Sequence, residues 1–173
     1  MAEKEIKNID NLIDQGLNAE NNELDLREKE LDDEDLIKVL ESDKVKGVTA
    51  LFLEFNEIGD KGLKALVESD KMKFLTALNL FKNKVTDEGL KALAKSKNML
   101  NLSELILSDN EISPEGAKMV ATSNILGSLV SLWLGDKIGD EGVKALATSE
   151  TLTRLTQLSL YRNNIGNEGV LAI

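Results

Sequence analysis

LTALNLFKNKVTDEGLKAL at residues 75–93 repeats the frame of VTALFLEFNEIGDKGLKAL at residues 48–66, and the two stand 27 positions apart. The same frame returns as LSELILSDNEISPEGAKMV at 102–120, LVSLWLGDKIGDEGVKAL at 129–146 and LTQLSLYRNNIGNEGVLAI at 155–173. A diverged copy, NELDLREKELDDEDLIKVL, precedes them at 22–40. The first leucine of each L-x-L pair falls at Leu24, Leu51, Leu78, Leu105, Leu132 and Leu158, giving spacings of 27, 27, 27, 27 and 26. Self-similarity at one fixed period is the signature of a stacked repeat architecture, in which no unit buries its apolar face alone.

Within each copy the apolar period changes from two residues in L-x-L to three and four, as at Leu63, Leu66 and Val67. That switch predicts a short strand followed by a helix. Thr86, and Ser113 followed by Pro114, supply the chemistry of a helix start. Stacked strand–helix units make a parallel sheet on one side and a row of helices on the other. Because helices are wider than strands, the stack bends with the sheet inside. In each L-x-L the two leucines then point to the core and the residue between them to the concave surface.

The pattern L-x-L-x-x-N-x-I-x-x-E-G followed by an amphipathic helix resembles the ribonuclease-inhibitor-like class of leucine-rich repeats. The resemblance runs from about residue 22 onward. It implies an α/β leucine-rich-repeat solenoid, a horseshoe arc of about six 27-residue repeats with a concave parallel sheet and convex helices. It also implies a ladder of inward-turned asparagines bonding neighbouring turns, here Asn56, Asn83, Asn110 and Asn163. Two copies depart from the pattern. The first has Lys29 in place of the asparagine, and Asp35 where later copies carry Gly62, Gly89, Gly116, Gly142 and Gly169. The fifth is one residue short, so that either Asp136 takes the asparagine's place or the ladder breaks there. The closeness of the copies suggests a bacterial repeat protein or a recently duplicated one.

Residues 1–21 fall outside the repeat, but Ile6, Ile9, Leu12 or Ile13, and Leu17 share one helical face. They are expected to form a helical cap over a repeat domain spanning 22–173. The last repeat ends at GVLAI without a helix stop signal, which suggests truncation or self-association through an uncapped end.

The formal charge is -10, unsuited to a phosphate backbone and therefore against nucleic-acid binding. Residues 1–43 hold 15 acidic and 5 basic side chains, and the remainder holds 16 of each. That acidic end reads as a solvated, solubilising surface, with an acidic docking patch as the alternative. There is no histidine and no cysteine, which removes the commonest proton shuttle, transition-metal ligand and disulfide chemistry. No apolar run approaches the length of a membrane span, and no secretory signal is readable, so the compartment is left open. The acidic residues at helix starts, Asp60, Asp87, Glu88, Glu115, Asp140 and Glu141, are accounted for by the helix dipole. The recurring Ser42, Ser69, Ser96, Ser123 and Ser149 look like turn and packing residues. No cofactor, metal site or enzymatic activity is expected.

The concave positions of successive copies are Asp25, Phe52, Asn79, Ile106, Trp133 and Ser159, then Arg27, Glu54, Phe81, Ser108, Gly135 and Tyr161, then Glu28, Phe55, Lys82, Asp109, Asp136 and Arg162. Five of the chain's six aromatic residues fall among these 18 positions of 173, where random placement would put fewer than one. Aromatic side chains anchor protein interfaces because they bury much area at little rotamer entropy. Sheet positions also favour aromatics intrinsically, so packing along the sheet is the rival reading. The expected function is a protein-interaction module whose concave strip comprises Phe52, Glu54, Phe55, Phe81, Lys82, Ile106, Asp109, Trp133, Tyr161 and Arg162. Alternatives are the recognition domain of a larger effector or enzyme, or a scaffold resembling regulators of small GTPases.

Overall fold

The structure is a computed structural model that describes residues 7–20, 22–135 and 137–173. Ile6 and Asp136 lie outside the described residues. Six short strands, β1 (Glu23–Asp25), β2 (Ala50–Phe52), β3 (Ala77–Asn79), β4 (Glu104–Ile106), β5 (Ser131–Trp133) and β6 (Gln157–Ser159), form one parallel sheet in chain order. The register is that of the repeat: Leu24, Leu51, Leu78, Leu105, Leu132 and Leu158 stand side by side. Helix α1 (Ile9–Gly16) precedes β1. Each strand is then followed by a helix: α2 (Asp33–Glu41), α3 (Asp60–Glu68), α4 (Asp87–Leu93), α5 (Pro114–Ala121), α6 (Gly139–Ala147) and α7 (Asn167–Val170). A single turn of 3-10 helix carries the chain back toward the sheet after α2, α3 and α4, and again before β5. The molecule is a curved α/β solenoid of about six repeats.

The core is one continuous column between sheet and helices. Leu51, Leu53, Ile58, Leu63, Leu66, Val67, Met72 and Leu75 of the second repeat are all buried, as are the matching residues of the third except Ala94, which is partly buried. Each such side chain contributes roughly 1.5–3 kcal/mol by leaving water. Ile13 of α1 is fully buried in the same core, and Leu17 bridges Leu24 in antiparallel fashion, so α1 covers the apolar side of β1. At the opposite end, Leu158, Val170, Leu171 and Ile173 are exposed.

Polar side chains tie one repeat to the next. The Asn56 amide donates to the carbonyls of Leu26 (2.8 Å) and Leu53 (2.9 Å), and its Oδ1 accepts from Leu31 N–H at 2.9 Å. Asn83 likewise bonds Leu53 O and Ile58 N–H, Asn110 bonds Leu80 O and Val85 N–H, and Asn163 bonds Leu134 O and Ile138 N–H. These amides satisfy turn groups that the three-residue strands leave unpaired.

A second set of ties runs through carboxylates. Asp60 Oδ1 accepts from Thr86 N–H (2.8 Å) and Gly89 N–H (3.0 Å), and its Oδ2 from the Thr86 hydroxyl (2.7 Å). Asp87 does the same for Ser113, and Asp33 and Asp140 accept from the N–H of Gly59 and Gly166. The aspartates at these helix starts thus stabilise the orphan amides of the following helix in addition to their own dipole. The helix of the first repeat, α2, has no such aspartate before it and caps itself: Asp32 and Asp35 form a reciprocal capping box. Of the recurring serines, Ser96, Ser123 and Ser149 donate to carbonyls at the end of the helix one repeat earlier.

Candidate functional site

The sheet's solvent face is built from three positions per repeat. The first is the strand residue between paired leucines, and there Phe52 is half-buried, Trp133 is 45% exposed and Ile106 only 8%. Ile106 lies between Asn79 and Trp133 in register and offers little free surface. The second position carries Arg27, Glu54, Phe81, Ser108, Gly135 and Tyr161. Tyr161 is widely exposed, whereas Glu54 is nearly covered. Gly135 sits where a Cβ would fall 2.4 Å from Tyr161 O, so the fifth repeat leaves a bare step between Ser108 and Tyr161.

The third position was invisible as a special one in the sequence. Glu28, Phe55, Lys82, Asp109 and Arg162 all hold left-handed backbone, with φ between 55° and 65°. Sheet bonding continues into it, for Phe55 N–H donates to Phe81 O at 3.0 Å and Lys82 N–H to Ser108 O at 2.9 Å. A non-glycine residue in that region costs about 1–2 kcal/mol. The chain places Phe55, 43% exposed, where a glycine would fit best.

Phe55 and Phe81 meet edge to face, with centroids 5.2 Å apart and planes at 78°. Cations lie over the rings: Lys82 Nζ is 5.1 Å from the Phe55 centroid, Arg27 Cζ is 5.8 Å from that of Phe52, and Arg162 Cζ is 5.2 Å from that of Tyr161. The Phe55–Phe81 pair is the only ring–ring contact among the described residues, so the aromatics do not form one unbroken strip. Phe52, Phe55 and Phe81 gather toward the first repeats, while Trp133 and Tyr161 stand apart beyond Ile106, Ser108 and Asp109.

Charge is arranged tightly around the phenylalanines. Arg27 binds Asp25 through two bonds, 2.6 Å and 2.9 Å, and this partner holds the Asp25 carboxyl below its ordinary range. Glu54 accepts from the Asn79 amide at 2.8 Å, and burial pushes its carboxyl above the usual value. Asn79, Arg27 and Asp25 were visible as concave positions, but nothing in the sequence announced their bonding.

A groove of about 860 Å³ lies instead on the helical side between α5 and α6. Its hydroxyls are already engaged: Thr122 and Thr148 bond carbonyls of their own helices, and Ser149 and Thr151 bond Ala121 O. The concave sheet is the face that carries exposed Phe55, Trp133 and Tyr161.

Repeat period, sheet register and core column correspond to a sequence-family model for the leucine-rich repeat, which matches residues 48–67, 71–94, 98–121, 135–147 and 151–173. The chain belongs to the leucine-rich-repeat family. Among solved structures it is similar to an internalin (inlF) from Listeria monocytogenes, with 26% identity and a TM-score of 0.56 over 75% of this chain. It spans 33% of that internalin's length. It also aligns with the leucine-rich-repeat ectodomain of the receptor kinase SOBIR1 from Arabidopsis thaliana, at 18% identity and a TM-score of 0.43, over 82% of this chain and 69% of the other. No curated protein matches the chain. The leucine-rich-repeat fold is generally a protein–protein interaction module, and its members are typically non-enzymatic scaffolds. Among the described residues no helix is long and apolar enough to cross a membrane.

Proposed function

We propose that this leucine-rich-repeat chain binds a protein partner on its concave sheet, through Phe52, Phe55 and Phe81 with Lys82 at one end and Trp133, Tyr161 and Arg162 at the other, without catalysing a reaction. The observation that carries this reading is Phe55, a ring left 43% exposed on left-handed backbone, beside Phe81 and under Lys82. Strain retained at a surface is a reason to look for function there. Asp109 and Arg162 set charge complementarity along the strip, whereas Glu54 and Ile106 act as its floor. The asparagines Asn56, Asn83, Asn110 and Asn163 are assigned to stability, and the repeats to the ribonuclease-inhibitor-like class.

The test is capture of partners from lysate by the intact chain beside a Phe81→Ala/Trp133→Ala double variant, with both checked for folding by circular dichroism. A protein retained equally by both sinks the proposal. A recognition domain within a larger protein is compatible with the same surface, because the matching internalin is about three times longer than the aligned region. Exposed Leu158, Val170, Leu171 and Ile173 support a second contact, self-association through that end, which a concentration-independent monomer in ultracentrifugation would exclude.

A further inference from the structure

Among the described residues one buried side-chain polar atom has no hydrogen-bond partner, and it is Oε2 of Glu54. The residue is only 8% exposed. Its other oxygen accepts from Asn79 Nδ2, and Arg27, the cation on the neighbouring strand's side, is turned to Asp25. A carboxylate oxygen held away from water without a donor is destabilising. A glutamine would serve Asn79 as well through its own Oε1 and would bury no charge, so the bond to Asn79 does not explain why a glutamate stands here.

Glu54 lines two adjoining clefts of about 440 and 450 Å³ at the acidic end of the concave face. Phe55 walls one and Phe52 the other, and Asp25 and Arg27 are common to both. Asp25 and Glu54 place carboxylates in both clefts, and Arg27, the cation common to both, is paired with Asp25 and lies over Phe52, which leaves Glu54 without a cation of its own. The whole formal charge of -10 belongs to residues 1–43, which supply the β1 side of these clefts, and that field draws in a cationic ligand.

We infer that the Glu54 cleft receives a basic side chain, arginine or lysine, from the protein partner, and that the Glu54 carboxylate turns toward the cleft to pair with it between the Phe52 and Phe55 walls. This rests on the reading of the concave sheet as the interaction face and gives that reading a partner chemistry: an extended basic segment entering at the first repeats. Glu54 is then an anchor set below the surface, completed only when the partner's donor arrives.

The test titrates the full chain with a short glycine-flanked arginine peptide and its lysine and norleucine counterparts, followed through the Asn79 side-chain amide resonance. Expected is millimolar binding of the basic peptides, none of the norleucine peptide, and weakening by at least about tenfold in Glu54→Gln, the loss of one charge-assisted bond. Lys144→Ala, on the helical side away from the sheet, should bind the basic peptides as the parent does. Equal binding of the norleucine peptide, no binding of either basic peptide, or undiminished binding by Glu54→Gln overturns the inference. The two readings fail separately. If partner capture requires Phe81 and Trp133 but survives Glu54→Gln, the concave face stands and the cation site falls; if capture ignores all three residues, both fall.

Discussion

Gly89→Ala and Asp60→Ala should each destabilise the solenoid, and together they should cost far less than their sum. A Cβ on Gly89 would lie 2.5 Å from Asp60 Oδ1, with Val85 Cγ1 at 3.1 Å and Leu63 Cδ2 at 3.2 Å. The first contact is impossible without moving the carboxylate, and moving it breaks the bonds to the Thr86 amide and hydroxyl and the Gly89 amide. Asp60→Ala removes those three bonds outright. Counting roughly 1 kcal/mol for each, since the site is partly buried, gives a loss of about 3 kcal/mol. Gly89→Ala should cost about 2 kcal/mol, the disrupted bonds being offset in part by alanine's better helix propensity, about 1 kcal/mol. In the Asp60→Ala background the obstructing oxygen is gone, and the alanine should be neutral or slightly stabilising. The coupling is therefore about 2 kcal/mol, read from urea midpoints of the four proteins at constant slope. Additivity within about 0.5 kcal/mol would refute the idea that the carboxylate and the missing side chain share one space.

Three further outcomes follow from the same geometry. Because burial raises the Glu54 carboxyl, the folded chain holds that proton more tightly than the unfolded one; this stability contribution is complete in acid and is lost as pH rises through the elevated value. Glu54→Gln should accordingly stabilise the chain by about 1 kcal/mol near neutrality, with no gain in acid, as thermal melts across pH will show. Leu105→Ala, in the middle of the core column, should cost about 2–5 kcal/mol in chemical denaturation. Phe55→Gly should barely change the melting temperature, because release of left-handed strain offsets loss of the Phe81 contact, yet should weaken partner capture; a drop as large as that of Leu105→Ala would make Phe55 a packing residue.

The repeat period alone made the strands, helices and core leucines legible, because a solenoid writes each packing requirement once per turn. The concave positions followed from alternation within L-x-L. What did not follow was which of them are free. Exposure of Trp133 and coverage of Ile106 and Glu54 depend on the lateral neighbours each side chain meets, and those depend on rotamers that spacing does not encode. The left-handed third position was hidden for a related reason: Phe55, Lys82 and Arg162 are not residue types that announce positive φ. The aspartate ties could have been read. Wherever a helix-start aspartate occurs, the next copy has glycine about 29 residues on, as in Asp33 and Gly62, Asp60 and Gly89, Asp87 and Gly116, and Asp140 and Gly169. The first copy, which has no aspartate before it, carries Asp35 at the glycine's place and closes its own capping box. Reading the acids as dipole partners accounted for their sign but not for that pairing.

The junction of the fourth and fifth repeats shows how such departures come as a set. Pro114 stands where an aspartate would tie the next helix, and the fifth turn is a residue shorter. Gly139 then takes φ 57° and gives its N–H to Asn163 O instead of to a carboxylate. A third change makes the other two compatible: Ala117 occupies the place of Leu36, Leu63, Leu90 and Val143. A Cβ on Gly142 would stand 3.1 Å from the Ala117 Cβ, so α6 seats directly against α5 where a leucine would hold it off. Had the aspartate been kept, this close seating would have put it against apolar groups with no amide to bind, a buried unpaired charge. On the sheet side the Ser108 hydroxyl accepts from Gly135 N–H at 3.0 Å and restores a tie across the same junction. Proline, deletion and small residue therefore describe one repacked joint, and it falls between the phenylalanine cluster of the early repeats and Trp133 and Tyr161 of the later ones. The two aromatic groups of the concave face are carried on segments held together by different chemistry from the rest of the stack.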